Sequence, residues 1–570
     1  MEIIKNHKAA FILAVLTGII VASPQIYFPY ENRETYKGIF YTCTDNESFY
    51  FSRVREVKDG YPGLGSAIFQ DGKEDPYLQS PFGEILTGFL GKILFLGINN
   101  TILLARFLFP FLVFLLLYGF VFSFTKRRLF ALSASSALLL GNSLFTRHVI
   151  PTLLRGEALG TTFLDFFRPV QPQTNLLFFF AFLFFFWLFF EKKQWRWGGV
   201  SALIFGLSFY VYPYTWTFLS AFLGVLIIIL FFKRRLRDAK KIALMALTGI
   251  IIAIPYFLNL YRALLHPYFT DATRRFGIIE GRPLIIGFLL PALFIIFLLF
   301  FPKKWKEQFV FSLALLLSPF LVLNQQLITG KTMATGHYHW FISRPIALVF
   351  LIIILFYQAG RINAKIPKIL AVFIIGMSIY AGINIQAASY EECKDQILSE
   401  QRYAPIIQWL DKNANKGEVV LADSDPSNFI SIYTPLNLFY ASPAHYYLSA
   451  PDERVLESIF LFYRLEGLAG REAKEFFLQD KEREYISRSV YNEYYKEKLG
   501  DTAAIPDEVI ISFAEKYKKF LLVPLEKILK RYKVNYVVWD KKKHPFWQLD
   551  QYQFLKPAYE IEDFKIYIIK

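Results

Sequence analysis

Apolar residues in this chain come in long unbroken runs rather than in alternation. The runs lie near 9–28, 101–124, 129–146, 174–190, 198–212, 216–232, 242–258, 284–301, 309–323, 345–357 and 369–386. Crossing ~30 Å of hydrocarbon takes about 20 apolar residues in helical form, and a helix satisfies its own backbone there. The pattern therefore predicts a polytopic α-helical membrane protein with about eleven transmembrane helices. Every second connection is short and basic: Lys126-Arg127-Arg128, Lys192-Lys193, Lys233-Arg234-Arg235, Lys303-Lys304, and Arg361 with Lys365. Positive charge marks the cytoplasmic side, so a cytoplasmic N-terminus and an outer C-terminus satisfy every loop together. A cleaved signal peptide competes for the first run, but the stretch through Tyr30 lacks a clean small-x-small end, and a retained anchor is expected.

With that sidedness every long connection falls on the outer face: 29–100, 146–173, 259–283, 324–344, and everything after about 387. In the first outer loop, Thr44-x-x-Glu47 reads as a capping box opening a helix that ends at Asp59-Gly60. Ser80-Pro81 opens a second helix, whose stripe of Ile85, Leu86, Phe89, Leu90 and Ile93 suits the membrane interface. Beyond about 390 the pattern becomes charged, tyrosine-rich and mixed in period. Helical runs alternate with short strand-like runs at 419–422, 438–440, 534–539 and 565–569, which predicts a compact α/β domain. The expected organisation is a membrane module over 1–389, including the first outer loop 29–100, and an extracytoplasmic domain over 390–570.

Composition sharpens this picture at two points. The 570 residues are 54% hydrophobic with 62 Phe, more apolar surface than a soluble chain of this length needs. The net charge of +16 would suit a nucleic-acid partner, but much of the excess sits in the short connections as a topology signal, and nucleic-acid binding is not expected. No internal repeat points to a symmetrical transporter. Asp423 and Asp425, before Pro426, read as turn and cap residues.

The candidate chemistry lies on the outer face. Carboxylates at a membrane surface are costly unless solvated or employed, and Asp45 and Glu47 stand in the run Thr44-Asp45-Asn46-Glu47-Ser48-Phe49-Tyr50. Glu47 has a structural task as the N3 residue of the capping box, which leaves Asp45 as the stronger candidate base. Arg168, Arg274, Arg275 and Arg344 are outer-loop arginines whose forked donors suit a phosphate. Arg344 stands at the mouth of the span that begins at Pro345. His337-Tyr338-His339-Trp340 is the densest polar-aromatic cluster at a membrane edge; its two readings are headgroup binding and an interfacial aromatic belt. No metal-ligand spacing is recognisable. Both cysteines, Cys43 and Cys393, fall on the outer side, where an oxidising compartment would allow them to pair.

An acid soon after the first span, an aromatic-rich helix and an interfacial helix leading into the second span resemble the GT-C superfamily of membrane glycosyltransferases. The matching residues are Asp45-Asn46-Glu47-Ser48-Phe49-Tyr50, Gly60-Tyr61-Pro62 and Ser80-Pro81-Phe82-Gly83-Glu84, and the architecture matches over roughly 1–390. The resemblance implies transfer of a sugar from a polyprenyl-phosphate donor to an acceptor hydroxyl on a glycan, lipid or protein, at the outer face of the plasma (inner) membrane. It assigns the general base to Asp45, with Glu47 as an accessory acid. It implies no required cofactor and leaves a divalent metal open, with Asp165 as a second carboxylate for one. Inversion is favoured over retention. A lipid-linked saccharide or polysaccharide transporter and a non-catalytic assembly protein are the alternatives.

Overall fold

A computed structural model describes residues 7–43, 46–145, 155, 163–440, 450–491, 494 and 505–570. Each of the eleven apolar runs carries a helix, but they are not equal. Among the described residues, seven helices are long and apolar enough to cross a membrane, including Lys8–Glu31, Ile98–Thr125 and Pro213–Phe232, and an eighth span results if the bent pair Leu236–Ile252 and Ile254–Leu264 counts as one. The remaining three, Arg128–Leu139, Trp195–Val211 and Leu289–Phe300, are short. At 1.5 Å per residue, 12 residues reach only about 18 Å. Of the eleven runs, seven or eight therefore meet the length of a full span among the described residues.

The run 284–301 shows why a pattern overstates a helix. Pro283 and Gly287 disfavour helical backbone, and the helix begins only at Leu289. The preceding backbone is satisfied from a neighbouring segment instead. The amide of Ile285 donates to Asn324 Oδ1 at 2.8 Å, Asn324 Nδ2 donates to the Ile285 carbonyl at 3.0 Å, and Gln326 Nε2 donates to the Pro283 carbonyl at 2.8 Å.

The phenylalanines fill the bundle. Phe311 lies at a crossing of helices, its ring centroid 5.2 Å from that of Trp187 and 5.1 Å from that of Phe222. Where the Phe82–Ile93 helix meets the start of Ile98–Thr125, Gly91 allows contact: a Cβ there would lie 2.2 Å from Thr101 Oγ1.

After the last span the chain builds a five-stranded sheet in the order β4-β3-β5-β7-β6. The strands are β3 (Val419–Leu421), β4 (Asn437–Leu438), β5 (Val534–Asp540), β6 (Leu555–Ile561) and β7 (Phe564–Ile569). β3 is parallel to β4 and β5, whereas β7 is antiparallel to β5 and β6. A two-stranded ribbon, β1 (Ile279–Glu280) with β2 (Lys331–Thr332), lies earlier in the chain.

The first long loop packs both with this sheet unit and with the Ile98–Thr125 helix. Ile39, Phe49, Val57, Ile68 and Phe69 share one buried core with Val420, Leu438 and Ile459. The Ile68 carbonyl accepts the Leu438 amide at 2.8 Å, extending the sheet edge. Residues of loop 29–100 thus share a core with the region after 390. Helix Ile366–Glu400, with 35 residues, joins the two bodies. Cys43 and Cys393 are bonded, with Cα atoms 6.0 Å apart. Beside them Tyr41 stacks on Tyr390 at 5.5 Å, and Lys394 pairs with Glu31 at 2.9 Å.

Candidate active site at the loop-rich end of the bundle

The first-loop helix, Glu47–Lys58, has Glu47 as its first residue rather than its third. Asn46 occupies the N-cap with φ +68° and makes no side-chain cap; asparagine tolerates this left-handed conformation better than most residues. The Glu47 carboxylate turns to Arg106 of the Ile98–Thr125 helix in an ion pair whose side chains are 1% and 0% exposed. The expected capping partner of Glu47, the Thr44 backbone, falls outside the described residues. A guanidinium inside an apolar helix needs a counter-charge, whereas helix-terminal amides can be met by water. Thr44 and Asp45 lie outside the described residues.

Four segments converge around that helix. One turn on from Glu47, the Tyr50 ring receives the Arg168 guanidinium at 5.4 Å from its centroid, and Arg168 lies within electrostatic reach of Tyr212 and His337 as well. The Tyr212 hydroxyl hydrogen-bonds His337 Nδ1, and the exposed His337 ring stacks on Tyr214 at 4.8 Å. Two glutamines brace the segment that carries Arg168. Gln173 Nε2 donates to the Phe166 and Phe167 carbonyls at 2.8 and 2.9 Å, and Gln171 Nε2 donates to the Val211 carbonyl at 3.0 Å.

A second cation stands nearby in sequence to the histidines. Arg344 Nη2 donates to the Asn142 carbonyl at 2.9 Å, and its Nη1 lies 3.5 Å from the exposed Asp165 carboxylate, which also accepts from Asn142 Nδ2. The Arg344 guanidinium lies 4.9 Å from the Trp340 ring centroid, and His339 packs edge-on to the same indole at 5.2 Å. Asp165 thus faces an arginine. Among the described residues no group of three or more His, Cys, Asp or Glu is placed to hold a metal ion.

Arg274 and Arg275 go elsewhere. Both engage Asp452; Arg275 Nη2 reaches it at 2.8 Å and donates to the Ala450 carbonyl at 2.7 Å. With a side chain only 1% exposed, Arg275 ties the Phe269–Arg275 helix to the sheet unit and does not present its fork to a ligand. The geometry therefore groups Glu47, Arg168 and His337 in one neighbourhood, and Arg344 with Asp165 and His339 around Trp340.

Sequence reasoning overlooked Arg106, Tyr212 and the two glutamines, and Tyr50 entered only as part of a matched run. For Arg106 a signal existed: a lone arginine within an apolar span is a functional residue by default, to be named with its partner.

No protein-family model and no curated protein matches the chain. Among solved structures it is similar to ArnT from Cupriavidus metallidurans bound to undecaprenyl phosphate, with a TM-score of 0.46 and 11% identity over 99% of this chain and 98% of that one. It is also similar to the apo oligosaccharyltransferase of Archaeoglobus fulgidus, with a TM-score of 0.44 and 12% identity over 97% and 73%. The apo form of the same ArnT gives a TM-score of 0.43 and 11% identity over 91% and 92%. At these values the similarity carries no argument about residues, substrate or reaction.

Proposed function

We propose that this chain is a membrane glycosyltransferase that moves a sugar from a polyprenyl-phosphate-linked donor to an acceptor hydroxyl. The observation that carries the reading is the convergence of an arginine, a histidine and tyrosine rings (Arg168, His337, Tyr50, Tyr212 and Tyr214) at the loop-rich end of an apolar bundle. Arg344 lies at the head of its own membrane helix. A lipid-borne phosphate needs cations at headgroup depth, and a sugar is bound by aromatic faces and by donors and acceptors in small number.

In the reaction the acceptor oxygen attacks the anomeric carbon. The bond between that carbon and the phosphate oxygen breaks, and polyprenyl phosphate leaves with the electron pair. Asp45 takes the acceptor proton as general base, a role typically contributing ~10²–10⁴-fold. Arg168 and Arg344 balance the charge growing on the departing phosphate. The donor enters from the lipid, and the acceptor is a glycan, lipid or protein hydroxyl at the outer face of the inner membrane.

The test is transfer from a polyprenyl-phosphate sugar by the purified full chain in lipid. Wild type transfers, and Asp45→Asn lowers kcat by about 10²–10⁴-fold. Undiminished transfer by Asp45→Asn removes the base assignment. No transfer by wild type from any such donor favours a transporter.

A further inference from the structure

Arg106 is the most completely buried charge in the neighbourhood of the site. Its side chain is 0% exposed and that of its partner Glu47 is 1% exposed. Arg106 Nε and Nη1, and Glu47 Oε2, are buried without a hydrogen-bond partner. A desolvated ion pair with this much unmet capacity is a poor source of stability. Apolar residues of similar size in its place are often neutral or better, whereas removing one partner alone strands the other charge.

Its contacts point to a different task. The Arg106 guanidinium lies 4.0 Å from the centroid of Phe167, with Phe51 and Phe40 at 5.8 and 5.9 Å. Phe167 is itself fixed by stacking on Phe163 at 4.3 Å. Arg106 therefore touches both halves of the site. Through Glu47 it grips the first residue of the helix that carries Tyr50, and through Phe167 it grips the segment that carries Arg168. Tyr50 and Arg168 then meet at 5.4 Å. A guanidinium suits this double hold, because its plane stacks on a ring while its edge meets a carboxylate.

We infer that Arg106 is a positioning residue: its pair with Glu47 sets the separation between the first-loop helix and the Arg168 segment, and so between Tyr50 and the cation proposed for the donor phosphate. This rests on the glycosyltransferase reading for its chemical meaning, but the mechanical claim stands apart from it.

The experiment uses the full chain in lipid nanodiscs and the pair Glu47→Leu with Arg106→Met, which removes both charges while keeping bulk. Melting of the double variant stays near wild type. Its kcat falls on the order of a hundredfold, the scale of a ~1 Å misplacement, with donor KM little changed. Hydrogen exchange quickens in peptides spanning 46–58 and 163–168 and stays unchanged in the sheet unit. Arg106→Lys, which keeps the charge but not the fork, recovers only part of the rate.

Wild-type kcat in the folded double variant overturns the inference, as does unaltered exchange in both peptides. If wild type shows no transfer, the function proposed above fails while the exchange measurement still decides whether Arg106 holds the two segments. If Asp45→Asn lowers kcat and the folded double variant keeps wild-type kcat, the function stands and this inference falls.

Discussion

His544 offers a perturbation whose size follows from its surroundings. The side chain is 7% exposed and has a carboxylate at each nitrogen: Asp423 lies 3.1 Å from Nε2 and Glu466 meets Nδ1. Lys543 joins Asp423 to Asp425, and Trp547 Nε1 donates to Glu466 at 2.7 Å. Burial pushes the imidazole down, but the carboxylates of Asp423 and Glu466 outweigh it and raise His544 to about 9. Burial likewise pushes the Asp423 carboxyl up, while His544 and Lys543 pull it to about 2. The folded state thus holds the imidazolium more tightly than the unfolded chain, whose value is near 6.5. That stabilisation is complete below about pH 6.5 and is lost as pH rises through about 9. The Asp423 contribution is complete above about 3.8 and is lost as pH falls through about 2. At about 1.4 kcal/mol per pH unit, the alkaline loss is roughly 3 kcal/mol. It is counted once, because the same contact shifts both groups. For a unit of this size the loss is about 6–12 °C in Tm. Tryptophan-monitored melting of the full chain at pH 6, 7.5 and 9.5, compared with His544→Gln, checks it. The wild-type curve falls more steeply than the variant's over that range. Parallel curves would refute the ion-pair account.

Two further predictions concern the joints of the molecule. Cys43 and Cys393 become available to a thiol label only after reduction, and reduction lowers melting by the equivalent of about 2–4 kcal/mol; labelling of both without reductant would mean the bond is absent. Asn324→Ala leaves the Ile285 amide and carbonyl without their side-chain partners and costs about 0.5–1.5 kcal/mol for each hydrogen bond lost; unchanged melting would show that water serves this segment instead.

Much of the membrane architecture was legible because length and apolarity are what the bilayer selects. The misreadings have local causes. At 284–301 the apolar count concealed Pro283 and Gly287, and only the distant Asn324 and Gln326 reveal how extended backbone is tolerated beside lipid. β6 was missed because Lys556, Pro557 and Glu560 break the alternation; an edge strand accepts proline, and β6 ends the sheet. Asp423 was read as a turn and cap residue. It does precede a helix, Ser424–Tyr433, but its carboxylate serves Lys543 and His544, about 120 residues away in sequence, a pairing that spacing does not encode. The site was half visible. Arg168, His337 and Arg344 drew attention as polar residues at membrane edges, whereas Arg106 was hidden inside a span and the Glu47 carboxylate seemed already employed. Arg274 and Arg275 show the converse, since charge in a long loop cannot by itself tell a ligand contact from a tie to Asp452.

The Ile366–Glu400 helix makes the sheet unit sensitive to the bilayer. Its 35 residues extend about 52 Å, of which ~30 Å suffices to cross the hydrocarbon, so a stiff arm of roughly 20 Å projects beyond it. A helix adapts to a thinner membrane by tilting, and about 10° of tilt swings the tip of such an arm by roughly 4 Å. The bond to Cys43 and the contact of Lys394 with Glu31 couple that swing to the first membrane helix, so the two lean together. Membrane thickness is in this way converted into a displacement at the loops that frame the site.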